Sequence, residues 1–178
     1  MAKWEDNIAP CDCGYNENKE LALFLMGQYE KVLDFGCGPG RLTQVFDKED
    51  YVGYERELDL WNRAKVKNPT YLFSNELPPA GCGDDLLLSY TVFVHMTDFE
   101  IKHVLRHFNP KRICIVEILG RQWRTRGGFP PVYNRDPLDY VKLLSKYNLT
   151  KQHKMKHEHY SKKKGRDVFM SYLLWELK

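Results

Sequence analysis

The sequence predicts an α/β protein: a parallel sheet covered by helices on both faces. Three observations carry this reading. Short apolar runs alternate with amphipathic, helix-patterned segments along most of the chain. Two of those runs, DLLLSY (85–90) and RICIVEIL (112–119), are apolar at nearly every position, the pattern of strands buried on both sides. The first run, KVLDF (31–35), ends directly in the glycines of GCGPG, the mark of a strand turning sharply into a loop.

Taken in order, residues 17–29 place Leu21, Phe24, Leu25 and Gln28 at helical spacing, so an amphipathic helix leads into the first strand. After the glycines a helix starts near Arg41. YVGYE (51–55) reads as the second strand, LDLWNRAKVKN (58–68) as a helix that stops before Pro69, and 71–73 as a weak third strand. The turn-rich PPAGCGDD precedes the fourth strand, 85–90. Asp98 is placed to cap the helix FEIKHVLRHF, which ends at Asn109-Pro110 ahead of the fifth strand. A loop, GRQWRTRGGFPPVYNRD, then leads to a helix over roughly 137–147. Two strands follow without a helix between them. In LTKQHKMKHEHYS (149–161) one face carries His153, Met155, His157 and His159 and the other Gln152, Lys154, Lys156 and Glu158, a pattern suited to a charged sheet edge. VFMSYLLWEL (168–177) is apolar on both faces and belongs inside the sheet, joined to the edge strand by a hairpin through SKKKGRD.

A chain of 178 residues with 43% hydrophobic and 29% charged residues fits one globular domain over 1–178, large enough to need no disulfide or metal staple. The cysteines (Cys11, Cys13, Cys37, Cys82 and Cys114) are odd in number and follow no framework spacing, as expected of a reduced, cytoplasmic protein. No apolar run is long enough to span a membrane, and the first residues show no apolar signal region. The net charge of +3 conceals an asymmetry. Residues 1–100 hold 9 Lys/Arg and 18 Asp/Glu, net −9, whereas 101–178 hold 18 and 6, net +12. A basic second half suits an anionic partner, and RNA is one such partner for the cations of 121–166.

The sharpest signal is VLDFGCGPGRL. A glycine-rich turn at the carboxyl end of the first parallel strand lets a nucleotide-like ligand approach bare backbone. Dinucleotide enzymes use G-x-G-x-x-G, but the position of that third glycine is Arg41 here, and the third glycine, Gly40, comes sooner. The stretch, with Asp34, Gly36, Gly38 and Gly40, resembles the nucleotide-binding motif of class I S-adenosylmethionine-dependent methyltransferases. The resemblance extends along nearly the whole chain. Glu55 ends YVGYE as the family's ribose-binding carboxylate ends its second strand. DLLLSYTVFVHMTD is similar to the fourth-strand block of the small-molecule branch, with Asp85, Ser89, His95 and Asp98 in register. The final hairpin is similar to the reversed seventh strand of that fold. Two departures stand out. FSNELP lacks the usual acidic residue after the third strand, leaving Asn75 or Glu76 in its place, and Asn109-Pro110-Lys111 replaces the usual proline-glycine-glycine turn.

The resemblance implies a Rossmann-like three-layer sandwich whose seven-stranded sheet is mostly parallel with an antiparallel last strand. It divides the chain into an N-terminal helical segment (1–30), a cofactor-binding half (31–120) and a substrate-side loop, helix and hairpin (121–178). S-adenosylmethionine is the implied cofactor, with Asp34, Gly36, Cys37, Gly38, Gly40, Glu55, Arg56, Asn75, Glu76, Leu77, Ser89 and Tyr90 around it; Tyr15 is placed to close over it.

The sulfonium already activates the methyl group, so in-line transfer needs alignment and exclusion of water more than a strong base. His95 follows the fourth strand and is a candidate to orient an acceptor or take its proton; packing is its ordinary alternative. Glu117 interrupts an apolar strand, which requires a polar partner or a site role. Tyr133, Asn134 and Arg135, preceded by Arg121, Trp123, Arg124 and Arg126, suit an anionic or stacked acceptor, or form a solvated lid. The expected acceptor is small and anionic. Two other readings stand: methylation of RNA or another polyanion, and a non-catalytic cofactor-binding subunit. No metal is expected, because Cys11-x-Cys13 lacks a second pair and His153, His157 and His159 read as surface residues of an edge strand.

Overall fold

The computed structural model describes residues 13–82, 85–120 and 130–178, with side chains from Asn18 onward. Its strands are β1 (Val32–Phe35), β2 (Tyr51–Tyr54), β3 (Leu72–Ser74), β4 (Leu86–Tyr90), β5 (Arg112–Glu117), β6 (Tyr147–Lys156) and β7 (Phe169–Leu177). They form one sheet in the order β3-β2-β1-β4-β5-β7-β6. All pairings are parallel except those of β7, which runs antiparallel to both β5 and β6. The expected architecture, including the reversed last strand placed inside and the polar strand at the edge, is therefore present.

Side-chain alternation along the central strands builds two cores. Val32, Leu86, Leu88, Cys114, Val116, Tyr172 and Leu174 face one layer. There α1 (Cys13–Leu25) contributes Leu21, Phe24 and Leu25, and α2 (Leu58–Lys67) contributes Ala64. Leu33, Phe35, Leu87, Ile113, Ile115, Leu173 and Trp175 face the other layer, covered by α3 (Asp98–Phe108) and α4 (Pro137–Leu143). Both faces are apolar, which explains the continuous runs at 85–90 and 112–119.

Several boundaries depart from the sequence reading. The first helix ends at Leu25 rather than near 29; Gly27, at φ 69°, breaks it, and Gln28 lies beyond. After the glycines only a single 3-10 turn forms, Arg41–Gln44. Thr97, not Asp98, caps α3: its hydroxyl accepts from the Glu100 amide while the Glu100 carboxylate accepts from the Thr97 amide, a reciprocal capping box. The helix α4 stops at Leu143, because Tyr147 already begins β6 and anchors it by donating to the Pro110 carbonyl. The largest correction is in the last hairpin. β6 ends at Lys156, and a fifth helix, α5 (Glu158–Lys164), replaces the expected tip. His157 caps that helix and His159 lies within it, so the three histidines do not share a strand face with one another. Among the described residues no group of three potential metal ligands occurs. Nor is any helix among them long and apolar enough to cross a membrane.

Candidate functional site

Parallel strands place their carboxyl ends at one end of the sheet, and the connections leaving β1, β2, β3, β4 and β5 meet there. The strand order reverses between β1 and β4, one neighbour leading to β2 and β3 and the other to β5, and open α/β sheets take their ligands in the crevice at such a switch point. The glycine loop fills its near wall.

Gly36, Gly38 and Gly40 all have positive φ, at 76°, 56° and 75°, which only glycine adopts without strain. Their surroundings differ. A Cβ on Gly36 would stand 2.6 Å from Val92 Cγ2, and one on Gly40 would stand 2.8 Å from Asn68 Nδ2 and 2.9 Å from the Phe73 ring. At Gly38 a Cβ would meet nothing within 4 Å. Two glycines thus permit close packing of the loop on the protein, while the middle one opens toward space that a ligand can occupy. The amides of Gly36 and Cys37 both donate to the Tyr54 carbonyl (2.8 and 2.9 Å), tying the loop to the end of β2.

Glu55 follows β2 and reaches back to the same loop. Its Oε2 accepts from the Gly38 amide at 2.9 Å and its Oε1 from the Glu57 amide at 2.9 Å. Burial raises its pKa, and these two amide bonds oppose the rise. Asp34, two residues before the first glycine, is 1% exposed and accepts a 2.7 Å bond from the Tyr51 hydroxyl. Its pKa is pushed up to about 7, chiefly by burial, with the Tyr51 bond and the Arg41 charge working the other way. Cys37 turns its thiol into the core, where burial drives the pKa far upward, leaving only backbone toward the crevice.

The remaining sequence candidates separate into groups. Arg56 is exposed and pairs with Glu57 at 3.3 Å. Asn75, Glu76 and Leu77 form the turn after β3, shaped by bonds between Ser74 and Glu76. Tyr90 ends β4 beneath the Arg41 guanidinium, 4.1 Å from its ring centroid. Ser89 is fully buried and accepts from the Phe93 amide. Asp85 stands at the opposite end of the sheet, where it accepts from the amides of Glu30 and Lys31 and from Arg112 (2.9 Å).

On the far side of the crevice, the 3-10 turn Phe93–His95 carries His95. Its Nδ1 lies 2.8 Å from the Pro131 carbonyl, an acceptor, which places the ring proton on Nδ1 and the lone pair on Nε2. Burial lowers the His95 pKa, only partly offset by that bond. Glu117 has the polar partners its burial demands: Oε1 accepts from the Val94 amide (2.7 Å) and Oε2 from the Tyr140 hydroxyl (2.6 Å). Burial raises its pKa to about 7. It is 1% exposed, so it supports the turn from beneath. Arg135 is likewise buried, at 4%, whereas Tyr133 is 38% exposed. Asn134 is buried beside the Ile118 carbonyl. Arg121, Trp123, Arg124 and Arg126 lie outside the described residues, as does the Tyr15 side chain.

Tyr51, Val92, Asn68 and Tyr140 were not singled out from the sequence, although each holds a site element. Gly53, likewise not among the candidates, does carry a readable signal. It is a glycine inside a strand, where a Cβ would stand 2.6 Å from Phe73 Cδ1 and 2.9 Å from Cys37 Sγ, so β2 can lie close under the loop.

This strand order, glycine turn and acidic strand end define the fold of S-adenosylmethionine-dependent methyltransferases. Solved structures agree. Magnesium protoporphyrin IX methyltransferase from Synechocystis, determined with bound S-adenosylhomocysteine, superposes with a TM-score of 0.70 at 14% identity, over 100% of this chain and 89% of that one. A SAM-dependent methyltransferase from Methanosarcina mazei gives 0.64 at 14% identity, covering 89% of this chain and 96% of its own. One from Leishmania major gives 0.63 at 17%, covering 91% and 72%. No protein-family model and no curated protein sequence matches the chain.

Proposed function

We propose that this protein is an S-adenosylmethionine-dependent methyltransferase acting on a small acceptor that bears negative charge. The observation that carries the proposal is the pairing of an open Gly38 with the Glu55 carboxylate at the switch point of the sheet. Bare backbone there admits a nucleoside closely, and a carboxylate accepts hydrogen bonds from two vicinal ribose hydroxyls. In this reading Gly36, Gly38 and Gly40 shape the cradle, Glu55 takes the ribose, and Asp34 lies beneath the loop toward the amino-acid end. The Asn75–Leu77 turn borders the base. The cofactor supplies an activated methyl group when bound.

The chain's own residues then supply alignment. His95 presents Nε2 as a neutral acceptor of a proton or hydrogen bond, because its lowered pKa keeps the ring uncharged near pH 7. Tyr133, partly exposed beside that turn, lies on the acceptor side. The anionic character of the acceptor rests on the basic balance of residues 101–178.

Calorimetry with S-adenosylhomocysteine tests the cofactor half of the proposal, and absence of binding overturns it. A labelled-methyl assay on cell extract, split into small-molecule, RNA and protein fractions, tests the acceptor half. Label is expected among the small molecules. Label confined to RNA replaces the small acceptor by a polyanion.

A further inference from the structure

We propose that Glu117 and Arg135 are positioning residues, a buried clamp that holds the His95 turn from both sides. This rests on the methyltransferase reading for its catalytic meaning, and on geometry alone for its existence.

A three-residue 3-10 turn cannot hold its own shape, since its internal bonds are few and poorly aligned. Here the surroundings hold it. The Val94 amide donates to Glu117 Oε1 (2.7 Å), and the Val94 carbonyl accepts from the Tyr133 amide (2.6 Å). Arg135 donates from Nη1 to the Phe93 carbonyl (2.8 Å) and from Nη2 to the Met96 carbonyl (2.7 Å). Its Nε and Nη2 also reach Asp98 Oδ1 (3.0 and 2.7 Å), fixing the start of α3. Glu117 is itself held by the Tyr140 hydroxyl of α4, whose ring lies 5.6 Å from the Arg135 guanidinium.

The consequence falls on His95. Its Nδ1 partner, Pro131, sits on the segment that Arg135 closes, so the ring is held between the clamped turn and the clamped segment. The charged and titratable groups that hold the turn, directly or through one another, are Glu117 of β5, Arg135, Asp98 of α3 and Tyr140 of α4. Burying an acid and a guanidinium is expensive, and well-packed apolar residues would stabilise the fold at least as well. What the polar pair adds is direction: planar, forked donors aimed at chosen carbonyls, and an acceptor aimed at one amide.

The test is nitrogen NMR of the histidine rings of the full chain, titrated with acid and base. In the unmodified protein His95 should hold the Nδ1–H tautomer and titrate below the ordinary histidine value. Arg135→Lys keeps the charge but cannot fork, so the tautomers should mix and the midpoint should rise by about half a unit or more. Glu117→Ala should do the same. Glu117→Gln, which retains an acceptor for the Val94 amide, should restore the tautomer. Melting curves establish that each variant is folded. If Arg135→Lys is folded and His95 keeps its tautomer and midpoint, the clamp is overturned, whether or not Glu117→Ala folds. S-adenosylhomocysteine affinity should be unchanged in Arg135→Lys; a tenfold loss would move Arg135 to the cofactor side and overturn the assignment. Failure of the unmodified protein to bind S-adenosylhomocysteine would instead sink the methyltransferase reading and leave the NMR result standing.

Discussion

Gly36 and Gly38 share a positive φ but differ in what surrounds them, and that difference can be measured. Gly36→Ala meets both backbone strain and Val92, so it should cost about 2–4 kcal/mol of stability in urea unfolding. Gly38→Ala meets strain alone and should cost about 1–2 kcal/mol. Its methyl group nevertheless enters the open space, so S-adenosylhomocysteine binding should fall at least tenfold. Glu55→Ala should weaken the same binding by roughly 10- to 100-fold in calorimetry, the worth of two charge-assisted hydrogen bonds. Asp34 gives a pH signature. Its folded pKa, about 7, lies above that of an unfolded aspartate, so the folded state keeps a proton the unfolded state releases. Its contribution is therefore full below about pH 4 and is lost as pH rises toward 7, at up to about 1.4 kcal/mol per unit. Asp34→Asn should flatten the dependence of unfolding free energy on pH between 4.5 and 7.

Local patterns made the central elements legible and left the connections obscure. β4 and β5 were readable because burial on both faces leaves little choice but continuous apolar residues. The glycine loop and Glu55 were readable because a close backbone approach and a ribose carboxylate demand particular residue types. The 41–44 turn and α5 were not, since a few residues between strands satisfy helix, turn and strand patterns equally until tertiary contacts decide. Alternating His and Lys at 153–159 suggested one strand, but the cap at His157 and Gly165 at φ 64° enclose a helix there. Glu117 announced only that it needed a polar partner or had a site role. Tyr140 and Val94 were invisible, being 23 residues away in either direction. At this scale the α3 cap is testable. Thr97→Ala removes one half of the capping box and should lower stability by about 1 kcal/mol in thermal or urea melts, without altering S-adenosylhomocysteine affinity.

Across the whole molecule, the sheet separates two apolar layers that do not share side chains. Leu25 lies in the α1 layer and Leu105 in the α3 layer, both buried. Replacing either by alanine should cost about 2–5 kcal/mol, and the double variant should lose their sum to within about 0.5 kcal/mol. A marked departure would show that the layers communicate through the strands. The sheet order has a further consequence for biosynthesis. β7 follows β5 and β6 in the chain, yet it is seated between them and supplies hydrogen bonds to both. A nascent chain emerging from the ribosome therefore carries β5 with one open edge and β6 with no neighbour until residues 169–177 follow. During that interval the half-built sheet is a target for chaperones and for pairing with other nascent chains, and it closes only once residues 169–177 are available.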